Sequence, residues 1–332
     1  MNNSFCTFTK EALLEEFQKK KNTLLLFHRN PDADALGSSL ALYEMLSQTG
    51  SAVVGACISP LPDRLRFLMG DEMIAFGKEN IPKDFSPERI IALDTASPSQ
   101  LGDLFPIYEG KIDLMIDHHA VGTPFADHYI DPKAAATGEI LFDLAKELQK
   151  AGKIQLNSKI CNRLYAAISA DTGCFRFSNT TPSTHMRAAE LLKEGVPASD
   201  INHDLFDCKS REQLLAESYA AANLALYFDG RVAVVRFPYS KKVTLGLADE
   251  HLETLVDVAR SLIGVEVAIA IRQPSEAGIF RVSTRSATGY DVSALCGAFG
   301  GGGHKKAAGC TIEADSIDAA AEKLLAVLKE TL

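Results

Sequence analysis

His28, Asn30, Asp32 and Asp34 crowd into the seven residues HRNPDAD, directly after the apolar run TLLLF at 23–27. An imidazole and two carboxylates this close have two chemical uses. They can ligate cations, because neighbouring carboxylates repel and raise one another's pKa unless positive charge sits between them, and metal ions supply that charge. They can instead start a helix, with Asp34 as N-cap and Asp32 in an Asx turn. Gly37-Ser38-Ser39 does lead into the apolar spacing of Leu40, Leu42, Met45 and Leu46. Taken alone, the stretch leaves both uses open.

Two more apolar runs end in the same way. RIIALD (89–94) closes on Asp94 before Thr95-Ala96-Ser97-Pro98 breaks it, and KIDLMIDHH (111–119) closes on Asp117-His118-His119. One such ending is coincidence; three describe a site. A fourth carboxylate joins them from a helical pattern, SKICNRLYAAISADTG, where Ile160, Leu164, Ala167, Ile168 and Asp171 share one face. A carboxylate on a core-facing stripe is costly to bury unless it is paired or bound to metal. The alternative is an exposed aspartate in a frayed last turn.

Different chemistry is encoded near the C-terminus. In GIFRVSTRS, Phe280, Val282 and Thr284 fall on one face of a strand, and Arg281, Ser283 and Arg285 on the other. The short helix YDVSALCGAF then runs into GGGGHKKAAG (300–309). Successive glycines can turn several backbone N–H groups into one concavity, an anion-binding nest. Gly301, Gly302, Gly303, His304, Lys305 and Arg285 would then receive a phosphate. A flexible turn is the plainer alternative.

The elements that must position these groups follow from the same patterns. The runs at 23–27, 51–59, 89–94 and 111–117 read as buried strands of a parallel sheet. Open α/β sheets bind ligands at the carboxyl edge, which is where the histidines and aspartates fall. An amphipathic helix is predicted within 130–148, with Thr137-Gly138-Glu139 at its start. The segment 203–224 reads as one connecting helix, RVAVVRF (231–237) as a half-buried strand, and 249–263 as a helix. The chain is therefore predicted to be α/β throughout. An N-terminal parallel-sheet domain with helices on both faces spans 1–200, a connecting helix 201–224 and a smaller α/β domain 225–332.

Composition narrows the function classes. The 332 residues suffice for two domains and are 46% hydrophobic, enough for real cores. No run approaches the roughly 20 apolar residues of a membrane span, so no membrane partner is expected. The start, MNNSFCTFTKEALLEEF, lacks the apolar segment of a secretory signal, which predicts a cytoplasmic protein. Seven scattered cysteines with no CxxC pair argue against a disulfide framework. Cys174, close to Asp171, is the one candidate reactive thiol. Net charge is −9, with −8 of it before residue 225. That disfavours a stable complex with long nucleic acid, and an acidic lobe needs cations before it can accept a phosphate.

Together these stretches resemble one family. Asp117-His118-His119, with HRNPDAD (28–34), LDTAS (93–97) and AAISADTG (166–173), resembles the four motifs of the DHH phosphoesterases. The GGGGHKKAAG run is similar to the signature of their DHH-associated C-terminal domain. Five separated motifs agree in order over nearly the whole chain. The compact layout looks like the bacterial oligoribonucleases (nanoRNases) that also dephosphorylate 3′-phosphoadenosine 5′-phosphate (pAp). The resemblance implies a parallel-sheet DHH domain that holds two divalent ions. His28 and Asp32 would bind one, Asp34 and His118 the other, and Asp94 and Asp171 would contact both or bridge them. It implies that His119 faces substrate, that Asp117 orients the histidines, and that Arg285, His304 and the glycines hold the nucleotide phosphate. One departure stands out: Gln100 precedes Leu101-Gly102, where a basic residue is frequent, which puts a local salt bridge in doubt.

Two imidazoles and four carboxylates make a mixed N/O set that suits Mn²⁺, with Mg²⁺, Co²⁺ or Zn²⁺ as rivals. The expected activity is hydrolysis of very short RNA and pAp to nucleoside monophosphates. A linear or cyclic dinucleotide phosphodiesterase is the nearest alternative, and a non-catalytic nucleotide sensor the alternative of another class. The complete ligand set argues against the sensor. A homodimer is compatible with the layout.

Overall fold

Leu24, Leu25, Leu26 and Phe27 are all fully buried, as expected of a strand covered on both faces. In the computed structural model, which describes residues 5–332, they form the middle of a six-stranded sheet. Its strands are β1 (Thr23–Phe27), β2 (Val53–Cys57), β3 (Ile74–Phe76), β4 (Arg89–Leu93), β5 (Leu114–Asp117) and β6 (His128–Ile130). They are ordered β3-β2-β1-β4-β5-β6 and every pair is parallel. The chain winds outward from β1 to β3, then returns to β4 on the other side of β1. The winding therefore reverses between β1 and β4. In doubly wound sheets a ligand crevice opens there, beyond the carboxyl ends of the strands.

The helices of this unit are α1 (Lys10–Phe17), α2 (Ala33–Gln48), α3 (Phe105–Tyr108), α4 (Thr137–Lys150), α5 (Ser158–Asp171), α6 (Pro182–Lys193) and α7 (Ala198–Asn202). Leu25, Phe27, Ile91, Leu93 and Ile116 pack with α2, α4 and α5 on one face. Leu24, Leu26, Ile90 and Ala92 pack under α3 and the 3₁₀ turn Pro98–Leu104 on the other. Helix α2 lies deepest. A Cβ at its Gly37 would come 2.7 Å from the Arg163 carbonyl oxygen, and one at Gly138 of α4 would come 2.6 Å from the Ala167 Cβ. Only glycine permits these approaches. Buried Arg163 ties α5 down by donating to Glu72 (2.6 Å), the Leu68 carbonyl (3.2 Å) and the Leu40 carbonyl (3.3 Å).

The predicted connecting helix is not one helix. Helix α7 passes into a π-helical turn, His203–Asp207, and a new helix, α8 (Arg211–Ala222), begins after Ser210. Ser210 and Gln213 satisfy each other's backbone N–H groups in a capping box, which stops the helix from running through. The first unit ends at Cys208 and the second covers Lys209–Leu332. The division falls later than residue 200 because Ile201 of α7 is buried in the first core.

The second unit holds α9 (Tyr239–Thr244), α10 (Leu255–Arg260), α11 (Val292–Gly297) and α12 (Ile317–Thr331) besides α8. Its strands β7 (Ala225–Tyr227), β8 (Val232–Phe237), β9 (Val267–Arg272), β10 (Ile279–Ser286), β11 (Gly302–His304) and β12 (Ala307–Glu313) are ordered β11-β12-β10-β9-β8-β7. Only β8 and β9 run parallel; the other pairs are antiparallel. Strand β8 is buried on both faces rather than half-buried. Val232 and Val234 face α11 and α12, while Ala233, Val235 and Phe237 face α8 and α10. The helix expected over 249–263 is a 3₁₀ turn, Asp249–Leu252, followed by α10. The outermost strands of both sheets, β3, β6, β7 and β11, have three residues each. Among the described residues no helix is long and apolar enough to cross a membrane.

Candidate metal centre

His28 follows β1, Asp94 follows β4 and His118 follows β5, so the switch point of the sheet gathers them without any long loop. Asp32 and Asp34 arrive from the start of α2, and Asp171 from the last residue of α5. Three overlapping groups result, in which one ligand atom from each residue lies within 4.8 Å of the others. They are His28, Asp32 and Asp94; Asp34, His118 and Asp171; and Asp94, His118 and His119. All six predicted ligands and His119 thus come together in the N-terminal unit.

Asp94 stands between the two histidines. Its Oδ2 is 3.6 Å from His28 Nε2 and its Oδ1 is 3.7 Å from His118 Nε2. His28 Nε2 is also 3.7 Å from Asp32, and His118 Nε2 is 3.8 Å from Asp34 and 3.1 Å from Asp171. Most of these gaps are too long for hydrogen bonds. Two ligands each about 2.1 Å from a shared ion lie ~3–4 Å apart by simple geometry, so the spacing suits ligands around a cation. Each histidine also turns its other nitrogen to a backbone carbonyl, His28 Nδ1 to Arg29 (2.9 Å) and His118 Nδ1 to Ala134 (3.3 Å). That contact fixes the tautomer that leaves Nε2 for a metal. The donor set fits divalent cations.

The surroundings hold the carboxylates in place. Asp32 is the N-cap of α2: its Oδ1 accepts from the Asp34 and Ala35 N–H groups, leaving Oδ2 toward His28. The capping reading of HRNPDAD was therefore half right, with Asp32 and not Asp34 in the cap, and capping and ligation use different oxygens. Asp34 is wholly buried and accepts from Ser38 Oγ (2.8 Å) and the N–H groups of Thr137 (2.7 Å) and Gly138 (3.0 Å). Thr137 Oγ1 donates to Asp94 at 3.0 Å. Asp94 itself has φ 50°, a left-handed conformation that costs a non-glycine residue about 1–3 kcal/mol and is typical of functional sites. Asp117 Oδ1 takes the His118 N–H (2.9 Å) and pairs with His119 Nδ1 (2.7 Å).

Titration reflects the crowding. Burial disfavours a charged imidazole at His28, yet Asp32 and Asp94 outweigh it and push its pKa up to about 12. His118 is likewise pushed up to about 11, burial being outweighed by Asp171, Asp34 and Asp94. Burial, then the charges of Asp94 and Asp171, holds Asp34 well above the usual carboxylate range. Burial also raises Asp171 to about 6, with Asp32 and Asp94 adding to it against His118. Retained protons do here what a divalent ion would do: they offset clustered negative charge.

Sequence reasoning missed Ser38, Thr137 and Gly138. Two of the four bonds they make come from backbone N–H groups, which leave no side-chain signature. The Thr137-Gly138-Glu139 helix start was visible, but its partner was not. At position 100 the Gln100 side chain accepts from the Ala96 (2.6 Å) and Ser97 (3.3 Å) N–H groups, so it closes the loop after β4. Cys174 lies in a left-handed turn with Gly173 and Phe175 and belongs to none of the ligand groups.

The other predicted residues lie in the C-terminal unit. Part of the glycine run is extended: Gly302, Gly303 and His304 form the exposed strand β11 and pair with Gly309, Ala308 and Ala307. Glycine is required by backbone contact. A Cβ at Gly301 would come 2.3 Å from the Gly309 carbonyl oxygen, and Gly303 has φ 142°. Arg285 sits on β10, half-buried, with Nη1 donating to the Thr284 carbonyl at 3.0 Å. An open pocket of about 410 Å³ is lined by Gly300, Gly301, Gly309, Arg272 and Arg281.

Comparison with known proteins accords with these two units. Residues 22–168 match the DHH family, N-terminal domain, and residues 229–330 match the DHHA1 domain. The chain is 33% identical over 307 residues to the bifunctional oligoribonuclease and PAP phosphatase NrnA of Thermus thermophilus, spanning 92% of this chain and 88% of that one. It is 29% identical over 325 residues to the protein of the same name from Bacillus subtilis, spanning 95% and 98%. An exopolyphosphatase-related protein from Bacteroides fragilis superposes with a TM-score of 0.87 at 22% identity, covering 97% of this chain and 96% of that one, which shows a common fold. The chain belongs to the DHH family, an N-terminal DHH domain followed by a DHHA1 domain.

Proposed function

We propose that the protein is a metal-dependent phosphoesterase. It hydrolyses very short oligoribonucleotides to nucleoside 5′-monophosphates and removes the 3′-phosphate of pAp. The observation that carries this reading is Asp94, whose two oxygens face His28 and His118 at nearly equal distances. The names of the relatives, oligoribonuclease and PAP phosphatase, support the substrate class. His28 and Asp32 would hold one ion, Asp34 and His118 the other, with Asp94 shared and Asp171 beside the second. Mn²⁺ suits this mixture of imidazole and carboxylate. Divalent ions there supply Lewis acidity, easing deprotonation of water and offsetting phosphate charge.

The chain's own groups do the rest. Hydrolysis breaks a P–O bond, and the departing oxygen needs a proton. His119 is the donor: burial opposes its charge, but Asp117 at 2.7 Å raises its pKa and keeps a proton on the ring. Asp117 orients that ring and the His118 backbone. In the C-terminal unit, Arg285, Gly301, Gly302, Gly303 and His304 would hold the nucleotide's phosphate. The overall charge of −9 favours short substrates over a stable long nucleic acid complex.

Purified protein with Mn²⁺, assayed in parallel on dinucleotides, pAp, cyclic dinucleotides, pyrophosphate and long RNA, tests the reading. Mn²⁺-dependent release of nucleoside monophosphates from dinucleotides and pAp is expected. Turnover of cyclic dinucleotides or pyrophosphate alone would replace the assignment.

A further inference from the structure

Five carboxylates, Asp32, Asp34, Asp94, Asp117 and Asp171, surround the centre, and two divalent ions with a protonated His119 would bring five positive charges. That balances the carboxylates and leaves no surplus to receive an anionic phosphate, so a further cation beside the centre would favour its binding. Its arginines differ sharply in availability. Arg66, Arg89, Arg163 and Arg187 are paired with Asp63, Glu16, Glu72 and Asp143. Arg176 donates to the Gly173 carbonyl and lies over the Phe206 ring. Arg29 is exposed, and among the described residues no ion pair or side-chain hydrogen bond engages its guanidinium.

Its backbone is the opposite of free. The Arg29 carbonyl accepts from His28 Nδ1 (2.9 Å), and its N–H donates to the Gln100 carbonyl (2.7 Å). Asn30, next in the chain, is left-handed (φ 54°) and accepts from Ser59 Oγ at 3.1 Å. The Arg29 Cδ lies 3.9 Å from where a Cβ on Gly102 would sit. A rigid base thus carries an unpaired cation one residue from a candidate ligand. An ordinary surface arginine lacks that fixed base beside a ligand.

We propose that Arg29 grips a phosphate of the nucleotide at the rim of the metal centre, as a planar fork suited to phosphate oxygens. The assignment rests on the nucleotide-hydrolase reading above. Because only the backbone of Arg29 supports the loop, its side chain can be removed without disturbing His28.

The test compares wild type, Arg29→Ala and Arg29→Lys by KM for pAp and by calorimetric Kd for AMP, a product whose binding needs no turnover, both with Mn²⁺. Arg29→Ala should raise both by roughly 10- to 100-fold, the loss of one charge-assisted contact, with metal content and melting temperature unchanged. Arg29→Lys should recover part of the loss, keeping charge without the fork. The salt dependence of KM should become shallower in Arg29→Ala. If wild type binds AMP and Arg29→Ala binds it equally well, the proposal is overturned while the nucleotide reading stands. If Arg29→Ala instead loses metal, the side chain supports the centre and the proposal is again wrong. If wild type neither binds AMP nor cleaves any nucleotide, the reading beneath it fails.

Discussion

Two histidines hold protons that a bound metal would displace. In the metal-free chain the surrounding aspartates outweigh burial and push His28 up to about 12 and His118 up to about 11, against 6.5 for an ordinary imidazole. Between about 6.5 and 11 the native chain therefore binds more protons than the unfolded one. The stability from these His–Asp pairs is fully present below 6.5 and drains away as pH rises through 11 to 12. Metal ligation needs neutral imidazole, so loading near neutral pH must expel protons. Titrating Mn²⁺ into metal-free protein in buffers of different ionisation enthalpy should give heats that differ in proportion, with net proton release. Identical heats would mean that the imidazoles do not meet the ion. The candidate ligands were legible because strand ends and a helix face announce them by residue type. Ser38, Thr137 and Gly138 were not, because what they give Asp34 depends on where a distant helix starts.

Helices α2, α4 and α5 set the precision of the centre through contact between backbones. Gly138 lets the start of α4 press on Ala167 while its N–H reaches Asp34. Gly138→Ala gains about 1 kcal/mol of helix propensity but must place a Cβ 2.6 Å from another. Overpacking of this kind costs about 1–3 kcal/mol. We expect net destabilisation in denaturant melts together with weaker Mn²⁺ binding, since shifting α4 pulls two donors from Asp34. Unchanged metal affinity would show that α4 does not position the carboxylate. At this scale the buried strands were readable from apolar runs ending in polar residues. The break at Cys208–Ser210 was also readable, from Ser210 and Gln213, but the helical spacing on either side masked it. Strand β8 misled because alternation with valine and alanine on the supposed outer face is also what a doubly covered strand shows.

The whole molecule carries its charge unevenly, −8 of the −9 lying before residue 225. The cations proposed to hold a phosphate are local: Arg29 in one unit and Arg285 in the other. A protein that tracks long single strands needs a basic groove with stacking aromatics, and this chain has no tryptophan. kcat/KM should therefore fall as RNA lengthens from dinucleotide to longer oligomers at fixed salt and Mn²⁺. A flat or rising profile would reveal a strand-holding surface that neither the charge distribution nor the aromatic content suggests. Two domains were legible from length and from the change of motif. The position of their division was not, because α7 is held in the first core by one buried side chain, Ile201.

The three-residue strands at all four sheet margins have a consequence for life at high concentration. An exposed edge is a template on which a neighbouring chain can add a strand, and long flat edges seed aggregation. Here β3, β6, β7 and β11 offer little to copy. The margin at β6 is occupied further, because Phe8 donates to the His128 carbonyl and His128 donates to the Cys6 carbonyl. Among the described residues the outermost strands are thus short, and the glycine run that forms β11 ends its own sheet.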